Sequence, residues 1–402
     1  MATTEVLFNP LLPEFHADPY PFYRRLREQD PVHQSPLGFW VLTRYEDCVM
    51  ALRDQRFGRE AFAQLLTDVY GDGTETGALP RSMLFRDPPD HTRLRALVSK
   101  AFTPRVIDQM REHIQEIVDR LLDRVQSTGE MDVIGDLAYP LPVTVICEML
   151  GVPLGDHESI RGWSADIARS LDAIGLPSDA AIVERGRVAR RAIGDYFRAL
   201  VPRRRGNPQN DLLTGLIAAE EQGDKLSEGE VIAMCVLLFI AGHETTVNLI
   251  GNGTMALLRN RDQLDRLRAD PALDHNAIEE LLRYDSPVTF TQRITLADYQ
   301  VGDVTIPPRQ QIITILAAAN RDPAAFADPD RLDLGRAEAG RHVAFGGGHH
   351  FCLGAALARL EGEVAIPTLV RRFPALELDG DPMRRDTFTL RGLERLPVRF
   401  AG

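Results

Sequence analysis

Cysteine is scarce. The 402 residues contain four, Cys48, Cys147, Cys235 and Cys352, and no two lie at metal-ligand spacing. Nothing in that spacing suggests a disulfide framework, and a reducing cytoplasm fits best. The N-terminal stretch lacks both a basic segment and a long apolar one, so it does not read as a signal peptide. The longest apolar run, residues 231–241, is too short to span a bilayer. Positive charge is in deficit: Lys and Arg total 46 against 58 Asp and Glu, a net charge of −12. With no block of like charge, neither nucleic-acid nor membrane binding is expected. No linker or internal repeat is visible, and residues 1–402 are expected to form one domain.

What is present is mostly helical pattern. Residues 18–30 and 46–53 read as helices flanking a hairpin at 32–43. Residues 58–82 read as a long loop of the kind that covers binding pockets. Apolar periodicity then predicts helices over 105–127, 140–151, 156–173 and 179–200, broken at Gly129, at Gly151-Val152-Pro153 and at Gly175-Leu176-Pro177. Ser227 and Glu230 form a capping-box pattern before residues 231–241, which are apolar on every face and mark a helix through the middle of the core. That run is interrupted by Gly242-His243-Glu244-Thr245-Thr246, where a helix can open and admit water. A carboxylate there is costly unless it has a partner or a task. A β-rich region follows at 294–316.

The chain is organised around Phe345-Gly346-Gly347-Gly348-His349-His350-Phe351-Cys352-Leu353-Gly354. The glycines free the backbone, and a helical pattern opens from Leu353. Cys352 therefore sits at a helix N-terminus, an environment that favours thiolate over thiol. This segment resembles the haem-ligand loop of the cytochrome P-450 family, in which the cysteine thiolate is the axial ligand of the iron. The overall pattern is similar to that of the soluble bacterial members, and the membrane-anchored relatives' N-terminal helix is lacking.

Three further motifs carry the resemblance. Asp87-Pro88-Pro89-Asp90-His91-Thr92-Arg93-Leu94-Arg95 places His91 and Arg95 on one helix face, with Asp90 as the expected N-cap. By itself this is a solvated face; the resemblance implies a segment that holds haem propionates, with Arg293 and His350 as further ligands. Ala241-Gly242-His243-Glu244-Thr245-Thr246 resembles the oxygen-activation segment, which implies Glu244 and Thr245 as the proton-delivering pair and gives His243 no role. Glu280-Leu281-Leu282-Arg283 would ordinarily be a weak surface ion pair. The resemblance makes Glu280 and Arg283 a structural element with Arg331 as its third member.

The implied fold is mainly α with small β-sheets, the cytochrome P-450 fold. The implied activity is that of a haem-thiolate monooxygenase that uses haem b to place one oxygen atom of O2 in an apolar small molecule, by hydroxylation or epoxidation. Leu238, Ala241, Val288 and Phe290 are expected to contact that substrate. With no flavin domain, electrons would come from a separate ferredoxin and its NAD(P)H-dependent ferredoxin reductase, docking on a basic face of Arg341, Arg359, Arg371 and Arg372. The rival readings are a haem-thiolate peroxygenase, dehydratase or isomerase, and a non-enzymatic haem sensor.

Overall fold

The computed structural model describes residues 8–61, 82–173, 178–221 and 226–400. Most of the loop expected at 58–82 lies outside them. The frame is one long helix, Glu228–Arg259. The capping box forms as its sequence requires: Ser227 Oγ accepts from the Glu230 amide at 3.3 Å, and Glu230 Oε2 accepts from the Ser227 amide at 2.7 Å. Among the described residues this is the one helix long and apolar enough to cross a membrane, but 78% of its most apolar stretch is buried inside the protein. It is a core helix, with Pro140–Met149, Ala180–Gly206 and Ala355–Arg372 packed against it.

The expected interruption at Gly242 does not occur. The helix runs unbroken through residues 242–246, and Thr245 Oγ1 donates back to the Ala241 carbonyl at 3.0 Å. Gly242 has a packing reason: a Cβ there would lie 3.0 Å from the Ile146 side chain. The helices foreseen at 105–127, 140–151, 156–173 and 179–200 appear as Pro104–Asp108 and Arg111–Val125, Pro140–Met149, His157–Ser170, and Ala180–Gly206.

A five-stranded sheet lies beside the helices in the order Val32–Gln34, Trp40–Leu42, Gln311–Thr314, Thr291–Thr295, Phe57–Gly58. The first two strands are the expected hairpin, turning through Gly38 at φ +90°. Only the Trp40–Leu42 and Gln311–Thr314 pairing is parallel. It sets Arg293, on the next strand, opposite Ile312. Phe8, Phe15, Tyr23 and Phe39 gather with Phe290 and Phe388 in a separate aromatic cluster.

The two ends of the chain are tied together. Arg391 donates to the His16 and Ala17 carbonyls at 2.9 and 3.2 Å and to Asp285 at 2.9 Å. The last strand, Pro397–Arg399, pairs with both Glu130–Asp132 and Glu377–Leu378.

Candidate active site

The glycine loop is shaped by what presses on it. Gly346 and Gly348 sit at φ +69° and +66°, where side chains are disfavoured, and a Cβ on Gly348 would lie 2.3 Å from the Leu52 carbonyl oxygen. The Cys352 amide donates to the Phe345 carbonyl at 2.9 Å and closes the loop. The following helix begins at Ala355, so Cys352 precedes it by a short turn. Cys352 is accessible, yet burial is the largest influence on its thiol and raises its pKa. It therefore opens onto a space enclosed by protein. This corrects the expectation of a helix-stabilised thiolate: the Gly354 amide, Arg95 and Arg359 pull the other way, and desolvation outweighs them. Coordination of a metal ion would reverse that balance.

The central helix shows a matching opening. From residue 231 to 258 everything is buried except Ala241, Gly242 and Thr245. An accessible patch halfway along a core helix marks unfilled space inside the molecule. Leu238, one turn earlier, is buried.

A second cluster is rich in cationic donors. His91, on Asp90–Val98, is buried, with its ring centroid 4.4 Å from that of His350 and 5.2 Å from that of His349. Arg293 is buried; its Nη1 donates to Thr291 Oγ1 at 2.9 Å and to the Gln292 carbonyl at 2.8 Å. Arg59 donates to Thr291 and, at 3.4 Å, to the Leu84 carbonyl. Burial, then neighbouring cations, push His91 down to about 4, lower His349 and His350, and hold Arg293 well below its usual value. Both ring nitrogens of His91, Nε2 of His349 and of His350, and Nε of Arg59 are buried without hydrogen-bond partners. Buried donors without acceptors are costly. Two carboxylates, the propionates of haem, supply the missing acceptors and charge, so this donor set fits that group.

Sequence reasoning missed Arg59, for which no local pattern exists, and used His349 only as part of the motif. Arg95 is largely committed to shaping the loop, donating to the His349 and Phe351 carbonyls at 3.2 and 2.7 Å. Asp90 does not cap its helix; Pro89 holds the N-cap position.

Glu244 is not free. Its Oε2 accepts from Arg385 Nη1 at 2.6 Å, and Oε1 lies 3.2 Å from Ser164 Oγ and 3.4 Å from His243 Nε2. Burial raises its pKa, but His243 and Arg385 together overcome this and hold it down to about 2. His243, Ser164 and Arg385 carried no signal in the sequence. Glu361 is the converse case. It is buried on the cysteine helix, and burial pushes its carboxyl up to about 8. Thr246 pulls the other way, too weakly to offset burial, and neither carboxyl oxygen is within normal hydrogen-bond geometry of a partner.

The Glu280–Arg283 pair forms as foreseen, with both side chains fully buried and contacts of 2.6 and 2.8 Å. Its third member is Arg336, not Arg331. Arg336 Nε reaches both Glu280 oxygens, whereas the Arg331 side chain points outward to Asp333 and offers only its carbonyl to Arg283 and Arg336. The physical reason is burial: Arg331 is 67% exposed at its side chain, Arg336 only 6%.

Phe290 stacks on Phe388 with centroids 4.5 Å apart and belongs to the aromatic cluster. Val288 is half-buried and bridges to Leu390. The expected basic face is balanced by acids: Arg359 pairs with Glu279, Arg371 with Asp274 and Arg372 with Asp123, while Arg341 lies over the Tyr45 ring.

The family described as cytochrome P-450 matches residues 33–398. Cytochrome P-450 107B1 of Saccharopolyspora erythraea is 46% identical over 399 residues, covering 96% of each chain. Cytochrome P-450 monooxygenase PikC of Streptomyces venezuelae is 41% identical, covering 96% of this chain and 92% of that one. Among solved structures, P-450BioI in complex with an acyl carrier protein bearing hexadec-9Z-enoic acid aligns at TM-score 0.88 and 40% identity, over 96% of this chain and 99% of that one.

Proposed function

Because the chain belongs to the cytochrome P-450 family of haem-thiolate monooxygenases, we propose that the Cys352 thiolate would hold the haem iron and that Thr245 and Glu244 would deliver protons to the reaction. The observation that carries this reading is the pairing of two openings, one at Cys352 and one at Ala241 and Thr245, with a cluster of buried histidines and arginines in which several nitrogens lack a hydrogen-bond partner. His91, His349, His350, Arg59 and Arg293 would hold the haem propionates, with Arg95 fixing the loop beside them. Bound haem supplies the iron chemistry that cleaves O2 and transfers one oxygen atom to substrate.

The chain's own residues then have distinct tasks. Thr245, on the accessible side of the central helix, can turn its hydroxyl from the Ala241 carbonyl toward a water. Glu244 is the acid behind it. Leu238, Ala241 and Val288 offer an apolar small molecule a surface without hydrogen-bonding groups. Electrons come from a separate redox partner; for this chain we propose a ferredoxin with its NAD(P)H-dependent reductase, in the cytoplasm, acting on residues 1–402 as one domain.

Glu244 and Thr245 argue against the peroxygenase, dehydratase and isomerase readings, which need no protons for the cleavage of O2. The test is product formation with NAD(P)H, ferredoxin and reductase, set beside hydrogen peroxide alone. Product only with the redox chain is the expected result. Equal product from peroxide alone would favour the peroxygenase, and ligand binding without any turnover the sensor.

A further inference from the structure

Glu244 as found is a poor proton source. A carboxyl held down to about 2 by burial-opposing partners carries almost no proton near neutral pH. One of the groups that hold it is the imidazole of His243. His243 is fully buried, one residue before Glu244. Its Nδ1 lies 2.7 Å from the Phe239 carbonyl oxygen, and a carbonyl only accepts, so Nδ1 carries the hydrogen. In the neutral ring Nε2 is therefore an acceptor. The hydroxyl within reach of it is that of Ser164, at 2.8 Å, on His157–Ser170. The same Ser164 oxygen lies 3.2 Å from Glu244 Oε1.

This geometry gives the Ser164 hydroxyl two positions, set by His243. With His243 neutral, Ser164 donates to Nε2. With His243 protonated, Nε2 becomes a donor, Ser164 Oγ accepts from it, and the Ser164 proton turns to Glu244 Oε1. We propose that His243 and Ser164 form the proton feed of Glu244, His243 holding the proton and Ser164 passing it on. The step balances: the Nε2 proton moves to Ser164 Oγ as the Ser164 proton moves to Glu244 Oε1. It leaves neutral His243, an intact serine hydroxyl and a neutral Glu244 acid whose hold on Arg385 is weakened.

The surroundings confine the transfer to this route. Phe239 and Tyr139 pack on the His243 ring at centroid distances of 4.8 and 6.0 Å, and Arg161 covers the Tyr139 ring. The charged groups facing the pair are Glu244 itself and Arg385 behind it. His243 and Ser164 act through Glu244, so they are positioning residues. The inference rests on the proposed role of Glu244 and Thr245.

The test uses the haem-loaded enzyme with ferredoxin and reductase, and four variants. Thr245→Ala first checks the underlying reading by its product per NAD(P)H. Ser164→Ala should then lower that ratio about tenfold, with haem content and substrate affinity unchanged, and Ser164→Thr, which keeps a hydroxyl, should restore it. The second readout is nitrogen NMR of histidine-labelled protein in the reduced, carbon-monoxide-bound form. One signal, missing in His243→Gln, should show a protonated Nδ1, and its Nε2 resonance should move in Ser164→Ala. If Thr245→Ala uncouples turnover but Ser164→Ala does not, the feed is wrong and the reading of Thr245 stands. If Thr245→Ala leaves coupling unchanged, the underlying reading fails. A His243 signal with hydrogen on Nε2 in the neutral ring would also overturn the feed.

Discussion

Arg336 Nε lies 3.2 and 3.1 Å from the two carboxylate oxygens of Glu280, which Arg283 grips from the other side. One buried acid is thus shared by two arginines. Arg336→Ala removes half of that compensation and leaves a buried cavity lined with carbonyls. It should cost roughly 3 kcal/mol, whereas Arg331→Ala, at an exposed side chain, should stay within about 0.5 kcal/mol. Urea unfolding of both variants checks the contrast; equal losses would return Arg331 to the triad.

Cys352→Ser should abolish the reduced carbon-monoxide absorption band characteristic of thiolate ligation while leaving the fold intact. An unaltered band would remove Cys352 from the iron. Circular dichroism on the same sample separates lost ligation from lost folding.

The buried donors around His91 and Arg293 should matter most for haem retention. His91→Phe keeps the ring volume and removes both nitrogens, and Arg293→Ala removes a buried guanidinium. Each charge-assisted hydrogen bond lost is worth about 1.5–3 kcal/mol, so haem should leave each variant about ten to a hundred times faster. Transfer to an excess of a haem-free acceptor protein measures this. Two variants with the parent's rate would dissociate this cluster from the propionates.

Removing the Thr245 hydroxyl should leave haem content, substrate binding and reduction intact. NAD(P)H should still be consumed, but peroxide should replace product. If Thr245 only shapes the helix through its bond to the Ala241 carbonyl, Thr245→Ala instead shifts the melting temperature and leaves the product ratio alone.

Glu361 predicts a pH dependence of stability. Its carboxyl is pushed up to about 8 in the fold, against 4.5 ordinarily. The unfolded chain therefore releases this proton first as pH rises. The folded state loses stability progressively from about pH 4.5 to about pH 8, by an order-of-magnitude 3–5 kcal/mol from this group. Glu361→Gln, which cannot ionise, should melt higher than the parent at pH 8 and nearly match it at pH 4.5. A constant difference across that range would mean the carboxyl is not buried as described.

The sequence was most legible where a site is local. The cysteine loop spans ten consecutive residues, and Glu280 and Arg283 are three apart on one helix, so spacing alone places them together. Arg331 and Arg336 stand five apart in a segment without regular structure. There only the path of the loop decides which guanidinium turns inward. The environment of Glu244 was invisible for a plainer reason: Ser164 is 80 residues before it and Arg385 is 141 after it. The stacking of Phe290 on Phe388 was invisible for the same reason, since the two are 98 residues apart. The unbroken central helix shows how packing overrides a local tendency: Gly242 and the two threonines would let an isolated helix open, but Ile146 presses on Gly242 and the helix runs through.

Arg391 grips the carbonyls of His16 and Ala17, and the strand Pro397–Arg399 closes a sheet begun at Glu130–Asp132. On the ribosome, these contacts cannot form until almost the whole chain has emerged. The earliest residues to be made, Phe8 and Phe15 among them, must therefore wait for Phe388 before their cluster is complete. Until then Phe8 and Phe15 have only each other, Tyr23, Phe39 and their near neighbours to pack on.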